Sequence, residues 1–386
     1  MTEKLYETNS HMDKFNATVL SCEKSNNGYM IVLDKTAFFP EGGGQSADTG
    51  YLDKAAVTDV QIKNGIIVHY TDLPLTTGTS VNGRINWQQR FIRMQNHSGE
   101  HIVSGIIHKK YGFNNVGFHM GNEDITLDID GVLDREQLDE IEYEANLAVS
   151  KNIIVKTEYP SPKKLSALDY RSKLDITENV RIVTIDGYDM CACCAPHVKA
   201  TGEIGIIKLL DFIHYKNGLR IHMLCGFSAL ADYNTKYRNN LEISNMLSSK
   251  RDETANAVAR LLDENAKLKQ EIHSLKKNYI KYKCACIEPT DNNICVFEEN
   301  MDMNTLREYA NEIIQKCGNI CAAFSGNDKD GYIYVILSRS IPLRTLSKSI
   351  NSAINGRGGG RDDILQGQSH AKRADIEKYF SNLKII

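Results

Sequence analysis

The chain has 386 residues, of which 41% are hydrophobic and 25% charged, with a formal net charge of −3. At roughly 100 to 200 residues per domain this is enough chain for several domains, and the ordinary globular composition excludes wholesale disorder, collagen-like repeats and low-complexity architecture. The weak net charge excludes a chain-wide field for nucleic acid or acidic membrane, so such a partner has to be held by local patches.

The first residues, MTEKLYETNSHMDKF, lack the apolar core of a signal peptide. No run approaches the ~20 apolar residues of a spanning helix, so the expectation is a cytoplasmic protein with no membrane partner. Cysteines cluster at Cys191, Cys193 and Cys194 and again at Cys284 and Cys286. In a reducing compartment these read as metal ligands or buried thiols rather than disulfides.

Residues 1–88 read as β-rich. Short β-branched runs (Thr18–Cys22, Gly28–Leu33, Ala56–Ile62, Ile66–Tyr70, Ser80–Ile85) are separated by turn clusters such as SNNG and KNG, which predicts a small barrel or sandwich. Within it, FFPEGGGQSADTGYL places Gly42, Gly43 and Gly44 together and prevents a regular strand from continuing. From Trp87 the period changes. Phe91, Met94, His97, His101, Ile102 and Ile106 recur at helical spacing, a second helix is predicted from Asp134 to Ser150, and strand-like runs surround both. Residues 89–228 form one expected α+β domain.

Residues 229–283 turn polar and helical. Leu247, Arg251, Thr254, Val258, Leu261, Asn265, Leu268, Ile272, Leu275 and Tyr279 alternate spacings of four and three, a heptad seam with Asn265 at an a position. Such a seam serves either a coiled-coil homodimer or a long helix packed within its own chain. Residues 284–386 read as a further α/β unit, with strands at Asn293–Phe297, Ile320–Phe324 and Tyr332–Leu337 and a helix at Thr305–Lys316. The segment GRGGGRDDILQGQ reads as a loop whose Arg357 and Arg361 suit phosphate contacts. Between Arg344 and Lys384 there are eight basic residues against four acidic ones, a local basic excess.

His97 and His101 stand four apart on the predicted helix, so both rings project from one face. Cys193 and His197 repeat that spacing in CACCAPHVKATGEIG, and only Cys193 among its neighbours gives Cys-x-x-x-His. Three imidazoles and a thiolate suit Zn2+ in tetrahedral coordination. Four protein ligands also suit a purely structural site, because a catalytic zinc keeps a position open. Glu100 sits about 100° around the helix from His101, which assigns it to solvent or to a supporting role rather than to general-base work.

This quartet, with PEGGGQSADTG upstream and VKATGEIG directly after, resembles the editing domain of alanyl-tRNA synthetase and its free-standing relatives, the AlaX proteins. GRGGGRDDILQGQ resembles the signature of the DHH-associated domain that ends those synthetases. The resemblance implies a multidomain α+β chain in the family's order: a glycine-motif β-barrel (1–88), a metal-binding editing domain (89–228), a helical coiled-coil linker (229–283) and a C-terminal DHH-associated domain for tRNA binding or dimerisation (284–386). It implies hydrolysis of the ester in mischarged tRNA(Ala), chiefly Ser-tRNA(Ala) and also Gly-tRNA(Ala), since the synthetases' aminoacylation domain has no counterpart here.

The family's metal ligands fall on His97, His101, Cys193 and His197, and its glycine motif on Gly42, Gly43, Gly44 and Gln45. Gly43, Gly44, Gln45 and Thr49 are thereby assigned to substrate binding, Thr49 facing the serine hydroxyl, and Arg357 and Arg361 to tRNA. The family's Cys-Gly-Gly-Thr-His is here Cys193-Cys194-Ala195-Pro196-His197, and Pro196 removes a backbone donor. Two other readings fit the same residues: a zinc-containing RNA-binding or dimeric scaffold without hydrolase activity, and a metal-dependent hydrolase of small amino acid esters.

Overall fold

The computed structural model describes residues 2–121, 125–172 and 179–383. The chain divides into two compact units, Met1–Glu242 and Ile243–Ile386, the division falling inside one helix.

The first unit opens with β1 (Glu3–Lys4), α1 (Leu5–Thr8), β2 (Lys14–Ser25), β3 (Gly28–Leu33), β4 (Lys35–Thr36), β5 (Gly50–Leu52), β6 (Ala55–Lys63), β7 (Ile66–Thr71) and β8 (Ser80–Ile85). Six of these strands pair in a closed cycle, β2-β3-β7-β6-β5-β8, which leaves no free edge. Inward residues alternate with outward ones, and Ile31, Leu33, Val57, Val60 and Val81 meet Phe38 and Phe39 in one core.

Next come α2 (Trp87–Tyr111), β9 (Asn115–Met120), β10 (Ile125–Ile129), α3 (Arg135–Ser150), β11 (Val155–Glu158), α4 (Pro162–Leu165), β12 (Ile182–Ile185), β13 (Asp189–Ala192), β14 (Ile207–Tyr215), β15 (Gly218–Cys225) and α5 (Gly226–Met246). An antiparallel sheet β14-β15-β10-β9 and a second sheet β11-β12-β13 share a core with α2 and α3. The start of α3 is held by a capping box, in which the Asp134 carboxylate accepts from Gln137 N at 2.8 Å and the Gln137 amide oxygen accepts from Asp134 N at 2.9 Å. Cys193 packs against both this core and that of the strand cycle, so the two meet at one of the expected metal ligands.

The second unit holds α6 (Thr254–Ala285), β16 (Ile294–Glu298), α7 (Met303–Ile313), β17 (Ile320–Asn327), β18 (Gly331–Ser338), α8 (Leu343–Ala353), β19 (Gly356–Gly360), β20 (Ile364–Ser369) and α9 (Arg373–Asn382). Its sheet runs β16-β17-β18-β20-β19, with β16 parallel to β17 and the other pairs antiparallel. Along β17, Cys321 and Ala323 face a core shared with α6 and α7, while Ile320, Ala322 and Phe324 face one shared with α8 and α9. The sheet is thus covered on both sides.

Two expectations change. The glycine-rich segment read as a loop begins with a strand: β19 pairs with β20 along its whole length, Arg357 opposite Gln368. The heptad seam is interrupted near its start, because α5 ends at Met246, Ser248 takes a left-handed φ of 48° and α6 begins only at Thr254, leaving Leu247 and Arg251 outside both helices. Among the described residues no helix is long and apolar enough to cross a membrane.

Candidate metal centre

The site is built on α2. Asn86 caps its start by accepting from Gln89 N at 3.3 Å, and Gly112, at a φ of 72°, ends it. His97 and His101 lie one turn apart, both buried. Cys193 and His197 arrive on the loop after β13. That loop is fixed by Arg181, whose Nη1 donates to the carbonyls of Cys193 at 2.9 Å and Ala195 at 3.0 Å.

One donor atom from each of His97, His101, Cys193 and His197 lies within 4.8 Å of the others. Cys193 Sγ is 3.5 Å from His97 Nε2 and 3.4 Å from His197 Nε2. The second nitrogen of every ring is engaged elsewhere: His97 Nδ1 donates to Gln45 Oε1 at 3.0 Å, His101 Nδ1 donates to Asp189 Oδ2 at 2.8 Å, and His197 Nδ1 bonds Ser98 Oγ at 3.2 Å. Holding Nδ1 in this way turns Nε2 towards the cluster and sets its lone pair for a metal.

Burial and neighbouring charges shift these groups in opposite directions. Burial alone would raise the Cys193 thiol, but His97 and His197 beside it, with hydrogen bonds from His101 and His197, hold it well below the ordinary thiol value. Burial also opposes charge on His101, yet its bond to Asp189 raises it well above the ordinary imidazole value. His197 is pushed down to about 3 by burial. For Asp189, burial is outweighed by His101 and by Arg171, whose Nε donates to Asp189 Oδ1 at 2.7 Å, and the carboxylate stays ionised. Three oriented imidazoles and a thiolate fit a divalent metal of intermediate softness, whose binding would displace the proton that the Asp189 bond favours on His101.

Two glycines bring the supports within reach. A side chain at Gly105 would collide with Tyr188 O at 2.3 Å and with Asp189 Cβ at 2.8 Å, so its absence lets α2 approach β13 closely enough for Asp189 to meet His101. Gly44 has a φ of 81°, and a Cβ there would lie 2.4 Å from Phe118 O. The turn Gly42–Gln45, closed by reciprocal backbone bonds of 3.0 Å, therefore sits directly on β9, where Gly44 O accepts from Met120 N. A buried Asp48–Arg90 pair ties the following residues to α2, Arg90 Nη2 also donating to Ala37 O at 2.7 Å.

Not every expected substrate residue reaches this place. Gly43 and Gly44 line a cavity of about 490 Å³ together with His97, His101, Cys193 and Phe118. Gln45 is 1% exposed and supports His97, while its Nε2 has no hydrogen-bond partner among the described residues. Thr49 is not among the lining residues: its hydroxyl donates to Gln89 Oε1 at 2.8 Å, in the first turn of α2 and well before His97. Glu100, expected in solvent or in support, is only 3% exposed and lines the cavity, accepting from Ser104 Oγ at 2.5 Å and from Asn115 Nδ2. The helix turns its outward face into another wall of protein, a fact that helical angle alone does not carry. In the second unit, Arg357 lies on the exposed edge strand β19 and Arg361 just beyond it, its side chain 82% exposed. Lys384 lies outside the described residues.

Sequence reasoning missed Asp189, Arg171, Ser98 and Arg181. Asp189, Cys191 and Cys193 alternate, and that period was the available signal for Asp189 sharing a face with the cysteines. Cys191 itself is kept protonated, its thiol raised to about 11 by burial.

Three family models match separate segments of the chain. Residues 4–89 match the class II (A) tRNA synthetases, 180–222 the threonyl and alanyl tRNA synthetase second additional domain, and 291–381 the DHHA1 domain. The whole chain is 27% identical to the alanyl-tRNA editing protein AlaX-L of Pyrococcus horikoshii, covering all of it. It is 23% identical over 97% of its length to the alanyl-tRNA editing protein Aarsd1 of Rattus norvegicus, covering 96% of that protein. The alanine–tRNA ligase of Pyrococcus abyssi is 30% identical over 97% of the chain, which spans only 43% of the ligase. The chain thus resembles the free-standing alanyl-tRNA editing proteins end to end and the ligase over less than half of that protein's length.

Proposed function

We propose that the chain is a trans-editing deacylase that hydrolyses the ester of mischarged tRNA(Ala), chiefly Ser-tRNA(Ala) and also Gly-tRNA(Ala). The observation that carries this reading is the cluster of three buried histidines and the half-buried Cys193 beside a cavity of about 490 Å³. A site buried for structure alone would have no need of that cavity.

His97, His101, Cys193 and His197 would hold Zn2+, which when bound supplies Lewis acidity to an ester carbonyl or to water. The remaining work belongs to the chain. Gln45 and Asp189 fix two of the rings, and the main chain of Gly43 and Gly44 lets the substrate approach without side-chain obstruction. The unpartnered Gln45 Nε2–H is the donor left for a substrate oxygen. Serine is separated from alanine by a site that needs a hydroxyl to satisfy its own buried polar groups. With Thr49 committed to Gln89, that role passes to Glu100 and Asn115, which line the cavity and bond each other.

Arg357, on the exposed edge strand, and Arg361, just beyond it, contribute phosphate contacts to the tRNA body. The chain also self-associates through α6, where Leu261, Leu268 and Leu275 recur at heptad spacing and are 51%, 56% and 60% exposed. The test is deacylation of Ser-tRNA(Ala) beside Ala-tRNA(Ala): loss of serine with alanine retained is expected, and equal loss of both would contradict selective editing.

A further inference from the structure

Helix α6 buries one side and leaves the other open. Ile280 and Cys284 enter the core that α6 shares with α7. Tyr279, Tyr282 and Cys286 lie roughly 150° around the helix from that pair, and all three are exposed. The open stripe continues back through Leu275, Ile272, Leu268, Leu261 and Val258, each 40–60% exposed. An apolar stripe of this length on a soluble surface marks a contact with another surface.

The side chains of the stripe narrow what meets it. With Leu261 at d, the a positions are Val258, Asn265, Ile272 and Tyr279, and the d positions continue as Leu268, Leu275 and Tyr282. Branched residues at a with leucine at d favour two parallel strands, and a single asparagine at a fixes their register. The flanking charges choose the direction. Glu264 and Glu271 hold the g positions, and Lys269 and Lys276 hold the e positions. Across a parallel pair each g residue meets the e residue five places on in the other helix, which sets Glu264 against Lys269 and Glu271 against Lys276. Across an antiparallel pair g meets g and e meets e, so that glutamate faces glutamate and lysine faces lysine. Lys276 already donates to Asp302 Oδ2 at 2.6 Å, so Glu264 and Lys269 carry the discrimination.

We propose that α6 pairs with α6 of a second copy of this chain as a parallel, in-register, two-stranded coiled coil, which brings the two Cys286 side chains face to face at its end. The proposal rests on the self-association stated above and adds its strand number, direction and register. Cys286 falls at the next a position after Tyr279, directly past the last helical residue, Ala285, and keeps a right-handed backbone. A disulfide requires Cα atoms ~4.4–6.8 Å apart. In an antiparallel pair the two cysteines would stand at opposite ends of a 32-residue helix, roughly 48 Å apart.

The test uses the full, metal-loaded chain. Sedimentation equilibrium should give a dimer, and Glu264→Lys should weaken it roughly 10-fold, because two attractive contacts become repulsive. Adding Lys269→Glu to that variant should restore the dimer of the parent. The two positions lie about 140° apart on one helix, so they compensate only between helices. Diamide, which takes two protons and two electrons from a pair of thiols, should link two parent copies through a disulfide, and Cys286→Ser should stay unlinked. A dimer that Glu264→Lys tightens or leaves unchanged, or one that diamide does not link at Cys286, overturns the parallel register and leaves self-association standing. A trimer or tetramer overturns the strand number. A parent that stays monomeric loses both the pairing and the self-association.

Discussion

Asp189 Oδ2 accepts a hydrogen bond from His101 Nδ1 at 2.8 Å, and both side chains are buried. Arg171 holds the other carboxylate oxygen, so Asp189 stays ionised and fixes the His101 ring with Nε2 towards Cys193. Asp189→Asn keeps the shape and removes the charge. It should weaken metal binding about 10- to 100-fold in competition with a chelator; unchanged affinity would remove Asp189 from the account of the site.

Gly105 is a helix-interior glycine, where alanine ordinarily stabilises by about 1 kcal/mol. Here the added methyl meets Tyr188 O and Asp189 Cβ. Gly105→Ala should therefore lower the urea midpoint and the metal affinity together, because it pushes α2 away from the carboxylate that orients His101. A stabilised variant with full metal affinity would contradict the close approach.

His69 gives the first unit a pH dependence. It is fully buried and neutral, donating from Nδ1 to Ile31 O at 3.2 Å and accepting at Nε2 from Thr36 at 2.8 Å. Burial lowers its pKa from 6.5 to about 4, partly offset by the Ile31 bond. The unfolded chain binds the proton first as pH falls, so stability is complete above about 6.5 and is lost as pH drops towards 4. The loss is on the order of 3 kcal/mol. Urea unfolding at pH 7 and pH 5 should show a larger fall for the parent than for His69→Gln, in which the other titrating groups are retained. Equal falls would contradict the assignment.

The α6 stripe is tested by size. Leu268→Lys places a charge in the middle of the exposed leucines. Light scattering should show a shift from dimer to monomer with unchanged helix content, whereas an unchanged mass would assign the stripe to another role.

The parts of this site that follow a helical period were legible in the sequence. His97 and His101 are one turn apart on α2, and the spacing required that they share a face. The partners that hold their rings were not: Gln45 lies 52 residues from His97 and Asp189 lies 88 from His101, so only the closure of the fold makes them neighbours. Thr49 shows the reverse error. The family resemblance implied a place for Thr49 beside the substrate, but Asp48 turns inward to Arg90 and the Thr49 hydroxyl bonds Gln89. In the second unit, glycine's low strand preference argued for a loop, and pairing with β20 overrode it. The seam of α6 was visible as a period, but the break before it lies in a Ser-Ser turn that carries no strong helix-ending signal, with Ser244 Oγ donating to Ser249 O at 2.6 Å across it.

On the proposed function, the three-histidine, one-cysteine cluster serves hydrolysis. The most direct measurement is the rate of Ser-tRNA(Ala) deacylation by the metal-loaded chain and by Cys193→Ala, with circular dichroism confirming that both are folded. Rapid loss of serine is expected with the parent and only the spontaneous rate with the variant. A parent that binds metal and tRNA yet leaves the ester intact would contradict it and leave a binding protein whose cluster is structural.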